Sequence, residues 1–312
     1  MTNLNEASNL NEAPEISLPS ISSSAMLVEH TCSKWGRNTK KDKAASAKVV
    51  VDNNANKDTA SVSKVLLGDS ASLKALHTLA SNARNLHYAM TLPWNDMGHR
   101  MLPTETYFKY NELMTDMQGE FYRLKGEFLG AYDWDRAQEN ARLGDLWNAG
   151  DYPTTESLVD KFEFRISYFS ISDPNDFRIS VGNEQTQILK DHMNKYHNAR
   201  FDGAMNSMWK RVHVAVSNMS ERLREPEAGE YVSPSTGALV FKGSLVDNVL
   251  DVIDLLKSCN VTGDSKQEAI RRSLEDSVRG VTADGLRTSP TLRAETKASI
   301  DDVIANLPSL DL

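Results

Sequence analysis

Apolar positions along this chain recur mostly in steps of three and four, as expected of helices with one buried face. The clearest stretch runs from Thr104 to Ala131. Tyr107, Tyr110, Met114, Met117, Phe121, Leu124, Phe128 and Ala131 alternate three- and four-residue steps, which is a heptad seam on one long helix. Thr104, after Pro103, suits the N-cap, and Glu105 stands where the helix dipole favours an acid. A seam this aromatic requires a partner helix, from the same chain or from a second copy. Gly119 and Gly126 lie on the opposite side. Either they admit a close backbone or they are tolerated on a wet face.

A second long helix is predicted from Glu184 to Arg224, with Met205, Trp209, Val212, Val216 and Met219 in its stripe and Gly203 as a possible kink. It is the natural antiparallel partner of the first. Ser61 to Met90 also reads as helix, with Leu73, Leu76, Ala80, Ala83, Leu86 and Met90 on one face. Asp133 and Asp135 suit either a divalent cation or the cap of a separate helix from Arg136 to Trp147, and the cap is the simpler reading. Further helices are expected at Gly243–Ser258, at Lys266–Arg279 behind a Thr262 or Asp264 cap, and from Ser289-Pro290 to Leu307.

The period changes to two at Phe162, Phe164, Ile166 and Tyr168, and again at Phe177, Ile179 and Val181. With Asp173-Pro-Asn-Asp176 between them, these runs read as a small β-hairpin. The expected fold is therefore mainly α: a long antiparallel, coiled-coil-like helical hairpin, a small β-hairpin near 162–181 and a C-terminal helical region over 226–312. The helical core spans 61–225.

Two segments precede that core. Residues 1–25 repeat Asn-Leu-Asn-Glu-Ala and are too polar to order themselves. Residues 26–60 form a basic arm and linker in which Lys34, Arg37, Lys40, Lys41, Lys43 and Lys48 surround Trp35. Lysines with one aromatic are the minimal footprint for nucleic acid, by phosphate contact and base stacking. The alternative is a solvated segment whose tryptophan docks on the protein body.

The net charge of −8 argues against wholesale coating of nucleic acid, although it leaves room for a local basic arm. Two cysteines, Cys32 and Cys259, do not make a disulfide framework and fit a reducing compartment. No apolar run approaches the ~20 residues that span a bilayer, and no secretory leader is evident, so a cytoplasmic chain is expected. Candidate chemistry is sparse. His77 and His87 stand ten apart on a helix, and His192 and His197 five apart, so neither pair shares a metal ion. Asp96, His99 and Arg100 in the connector 91–103 are either a site or ordinary turn residues. Phosphate-binding loops, dinucleotide fingerprints, nucleophile elbows and zinc motifs are missing from the sequence. The expectation is a protein that is not an enzyme and needs no cofactor or metal.

Several phrases occur together: His30-Thr-Cys-Ser-Lys-Trp-Gly-Arg37, Lys40-Lys-Asp-Lys43, Ala83-Arg-Asn-Leu-His-Tyr88, Thr91-Leu-Pro-Trp94, Arg100-Met-Leu-Pro103, Asp151-Tyr-Pro153, Asp176-Phe-Arg178 and Ser244-Leu-Val-Asp-Asn248. Over residues 28–307 the chain resembles the DUF3150 family of bacteriophage and prophage proteins. The resemblance implies a location in the cytoplasm of an infected bacterium. It also implies an adaptor or substrate role beside a MoxR-type AAA+ ATPase, with no catalytic residues to carry over. Two function classes follow. One is a self-associating adaptor whose seam is Tyr107, Tyr110, Met114, Met117, Phe121, Leu124 and Phe128. The other is an accessory protein that binds DNA through segment 34–48.

Overall fold

The computed structural model describes residues 18–35, 39–172, 183–227, 229–230, 232–235, 237 and 239–309. The elements are, in chain order, α1 (Leu18–Ser24), β1 (Ala25–Ser33), β2 (Thr39–Asp42), α2 (Lys43–Asp52), β3 (Val62–Val65), α3 (Ala71–Met90), β4 (Leu92–Pro93), β5 (Arg100–Pro103), α4 (Tyr107–Leu143), α5 (Thr155–Val159), β6 (Glu163–Phe169), α6 (Asn183–Leu223), α7 (Ser244–Ser258), α8 (Ser265–Val278), α9 (Ala283–Thr288) and α10 (Pro290–Ala305). The protein is mainly helical with small antiparallel sheets. No described helix is long and apolar enough to cross a membrane.

The chain forms two compact units. One comprises residues up to Leu27, Thr91–Thr106 and the chain from Phe169 onward; the other comprises Val28–Met90 and Tyr107–Tyr168. The expected blocks 61–225 and 226–312 cut across this division. The two long helices fall in different units, and each packs against other helices in its own.

In the first unit α6 lies against α7 and α10, and α8 packs on α7 and α10. Ala204, Met208, Val212, Val216 and Met219 form the buried stripe of α6. Met205 and Trp209, expected at its centre, are only partly buried against it. Leu245, Val246, Val249, Val252, Ile253 and Leu256 of α7 face inward as the spacing predicted. In the connector, β4 and β5 pair antiparallel with Leu92 opposite Met101. Gly98, at φ +98°, takes the left-handed position of their turn, where a side chain would be strained. Leu92 and Trp94 are buried, as expected of a rigid connector.

Helix boundaries in this unit follow their caps. Asp264 accepts from Lys266 N at 2.8 Å, and Ser289 Oγ accepts from Leu292 N at 3.2 Å ahead of Pro290. Ser289→Ala should cost about 1 kcal/mol by removing that cap. The midpoint of urea unfolding, compared with wild type, checks it.

In the second unit α4 packs on α3. Helix α4 is continuous through Asp133, Trp134 and Asp135, so these acids do not cap a new helix at Arg136. The reason lies in the stripe, which carries on from Phe128 through buried Tyr132 to buried Glu139 with no Pro to break it and no Gly after Gly130. Thr104 belongs to a 3-10 turn before α4, and its hydroxyl donates toward Ser23 O at 3.5 Å rather than accepting as an N-cap. The predicted helix from Ser61 starts only at Ala71, because Val62–Val65 is taken up as β3 opposite β2, Lys64 facing Lys40. The strand expected at Phe162–Tyr168 is β6, and its neighbour in the sheet is β1. The second run, Phe177, Ile179 and Val181, lies outside the described residues, as do residues 1–17.

Candidate functional site: a cationic groove beside Cys32

The phrase His30-Thr-Cys-Ser-Lys34 runs along the end of β1. Alternation along a strand puts His30, Cys32 and Lys34 on one side. Ala80, Ser81, Arg84 and Asn85 recur at i, i+1, i+4 and i+5 along α3, which puts them on one helix face. These two sets line a single cavity of about 280 Å³.

Its chemistry is cationic. Lys34 and Arg84 are both in the lining, and among the described residues no carboxylate is. Cys32 is half-buried. Burial pushes its thiol above the ordinary range, outweighing the opposite pull of Lys34 and Arg84, so the sulfur is a neutral thiol at pH 7. His30 titrates at about 4, first because it is partly buried and then because Arg84 is close. It is therefore uncharged at neutral pH. Its buried Nε2 has no hydrogen-bond partner, while its ring lies 4.6 Å from Phe164 and 5.5 Å from His87. His87 Nδ1 is 2.7 Å from Tyr110 Oη, deep between α3 and α4. His77 bonds Trp35 O at 3.2 Å, and burial together with Lys34 lowers its pKa. A neutral histidine, a neutral thiol and two cations make a pocket for an anion rather than a nucleophilic site.

The predicted basic arm is folded, not free. Trp35 is 7% exposed and stacks on Phe128 with centroids 6.4 Å apart, meeting Tyr132 edge-on at 6.2 Å. It cannot stack on a base, and the docked-tryptophan alternative is the one realised. Lys34 turns into the cavity. Lys40 pairs with Asp151 at 2.7 Å. Lys41, Lys43 and Lys48 are exposed and make no ion pair among the described residues; Arg37 lies outside them.

The expected self-association seam is likewise filled within its own unit. Tyr110, Met114, Phe121, Leu124 and Phe128 are buried, and Tyr107 and Met117 half-buried. Phe121 meets Phe164 and Phe128 meets Phe162, each at 5.5 Å. The five buried side chains are thus packed within the chain, while Tyr107 and Met117 keep part of their surface open.

In the connector, side chains hold the turn together. Arg100 donates to Thr91 Oγ1 and O, and Asn95 Oδ1 accepts from Met97 N and His99 N to hold the turn. The pairing of these two cations in one groove was missed in the sequence because Arg84 is 50 residues from Lys34. The available signal was period two in His30-Thr-Cys-Ser-Lys34. Among the described residues no group of three His, Cys, Asp or Glu side chains is placed to hold a metal ion. Comparison with protein-family models, with curated proteins and with solved structures finds no match for this chain.

Proposed function

We propose that this chain is a non-enzymatic adaptor that docks an acidic protein surface on the ribbon and helix formed by β2, β3 and α2. The observation that carries this reading is α2 itself. It is an ordered ten-residue helix with no buried side chain, and Val51 is 71% exposed, with Val49 and Val65 also open to solvent. Helices this short are marginal in water unless a face is packed. Local bonds hold this one in place. Asp42 Oδ1 accepts from Ala45 N, and Ser46 Oγ accepts from Val62 N, both at 2.9 Å. Three valines (Val49, Val51 and Val65) and three lysines without an ion pair among the described residues (Lys41, Lys43 and Lys48) are exposed on these elements, which gives them apolar anchors and a positive charge.

That mixture favours a protein over a nucleic acid. A phosphate backbone uses the lysines but has no use for the valines, and the one aromatic of the segment is buried. The resemblance to DUF3150 supplies the first partner to test, a MoxR-type AAA+ ATPase in a phage-infected cell. A second copy of the chain is the other protein that could occupy the face, since residues from Ser220 onward carry 16 acids against 11 bases.

Mass by light scattering, alone and with the ATPase, tests the proposal. The wild type should gain mass, and Val49→Asp with Val51→Asp should abolish the gain while leaving the fold intact, because both side chains already face water. Equal association by wild type and the double variant would sink the reading. DNA binding that falls steeply with salt and disappears in Lys41→Ala, Lys43→Ala, Lys48→Ala would replace it with the nucleic-acid alternative.

A further inference from the structure

From the groove beside Cys32 we infer a binding site for a phosphoryl group, held between Lys34 and Arg84. It is separate from the docking face of α2 and does not depend on it.

Charge is the first argument. Other arginines of this chain meet carboxylates on their own helices: Arg123 bonds Glu120, Arg142 bonds Glu139 and Arg271 bonds Glu268 and Glu275. Among the described residues Arg84 makes no such pair, and neither does Lys34. Two cations therefore line one cavity with no acid among its described lining residues. Their repulsion is relieved by an anion between them, and a doubly charged one balances both. A guanidinium supplies a planar fork and an ammonium a point charge, the two donor types that phosphate oxygens accept most readily.

The uncharged groups fit the same ligand. Asn85 lines the cavity and its side chain makes no hydrogen bond among the described residues, so its amide is a further donor. Ser81 already donates to His77 O at 2.9 Å. The Cys32 thiol is neutral and does not compete as an internal anion. His30, also neutral, leaves a buried ring nitrogen without a partner at the cavity wall. Size sets the limit: 280 Å³ lies at the low end of small-molecule pockets, suited to a phosphoryl group and a modest remainder. The phosphoryl group can come from a free phosphate metabolite or from the 5′ end of a nucleic-acid strand.

The test uses the full chain at low ionic strength with inorganic phosphate as the probe. Binding is read by calorimetry and by the rate at which iodoacetamide alkylates Cys32. Buried Cys259 is the internal control. Phosphate should slow Cys32 alkylation several-fold, and chloride at equal ionic strength should not. Lys34→Gln and Arg84→Gln should each weaken phosphate binding about tenfold or more with unchanged circular dichroism, as one charge-assisted hydrogen bond predicts. Lys41→Gln, Lys43→Gln, Lys48→Gln should bind phosphate like wild type. Competition with a nucleoside 5′-monophosphate, and with one oligonucleotide with and without its 5′-phosphate, separates the two sources. No calorimetric binding of phosphate, or equal affinity in Arg84→Gln and wild type, would overturn the site. So would oligonucleotide binding that ignores the 5′-phosphate in the absence of any phosphate effect.

Discussion

Replacing Lys64 by alanine is expected to destabilise the second unit by about 3 kcal/mol, the scale at which a buried charge loses its partner. Lys64 sits on β3 directly opposite Lys40 on β2, and like charges in register repel. Asp151 resolves the conflict, reaching Lys40 at 2.7 Å through Oδ1 and Lys64 at 2.6 Å through Oδ2. Lys64 also lies 3.3 Å from Asp42 and donates to Leu146 O at 2.5 Å. Without Lys64, Asp151 keeps only its exposed partner. Asp151→Asn should cost a similar amount, because two lysines then face each other. The double variant Lys64→Met, Asp151→Asn should lose less than the sum of the two single effects, which urea unfolding measures as a coupling energy.

The same cluster sets a pH dependence. Burial by itself would raise the Asp151 carboxyl, but the hydrogen bonds and charges of Lys40 and Lys64 outweigh burial and hold it below its usual 3.8. A group whose pKa is depressed on folding adds stability above its unfolded pKa and loses it as pH falls through the folded value. Lys64 is raised above 10.5, chiefly by its bond to Asp151, so its share is lost only as pH climbs past that value. Unfolding midpoints should therefore be flat between about pH 4 and 10 for this cluster and fall on the acid side. Lys64→Ala should flatten that acid limb. Because β2 and β3 carry α2, the variant should also weaken partner binding at the valine face.

What the sequence disclosed divides by range. Helical stripes and caps depend on neighbours three or four residues away, so the α4 seam, the inward face of α7 and the Ser289 cap were all legible. Long-range pairings were not. Phe162–Tyr168 announced a strand, but nothing local said that its neighbour would be β1, more than 120 residues earlier. Lys64 falls in the stretch from Ser61 that reads locally as helix, and only pairing with β2 and the approach of Asp151 make it an interior charge on a strand. The anion groove has the same character: period two aligns His30, Cys32 and Lys34, while Arg84 joins them only through packing of α3. A basic segment with a tryptophan kept two readings open; Trp35 is buried against Phe128, which removes the stacking aromatic, while Lys41, Lys43 and Lys48 stay exposed.

That contact also makes Phe128 the residue that separates an internal seam from an interface between copies. Phe128→Ala should cost about 3–5 kcal/mol, because it empties a fully buried ring site facing Trp35, Tyr132 and Phe162. Trp134→Ala, on the same helix but 67% exposed, should stay within about 0.5 kcal/mol of wild type. Urea unfolding followed by tryptophan fluorescence measures both, with Trp35 as a reporter beside the missing ring. Light scattering under native conditions supplies the second readout. A seam closed inside one chain gives a lower midpoint with unchanged mass. A seam shared by two copies would instead give a smaller particle that is still folded, and that outcome would return Tyr107, Tyr110, Met114, Met117, Phe121, Leu124 and Phe128 to the role of an assembly surface. The ring contacts with Phe162 and Phe164 favour the first result, since they already cover Phe121 and Phe128 from within the chain.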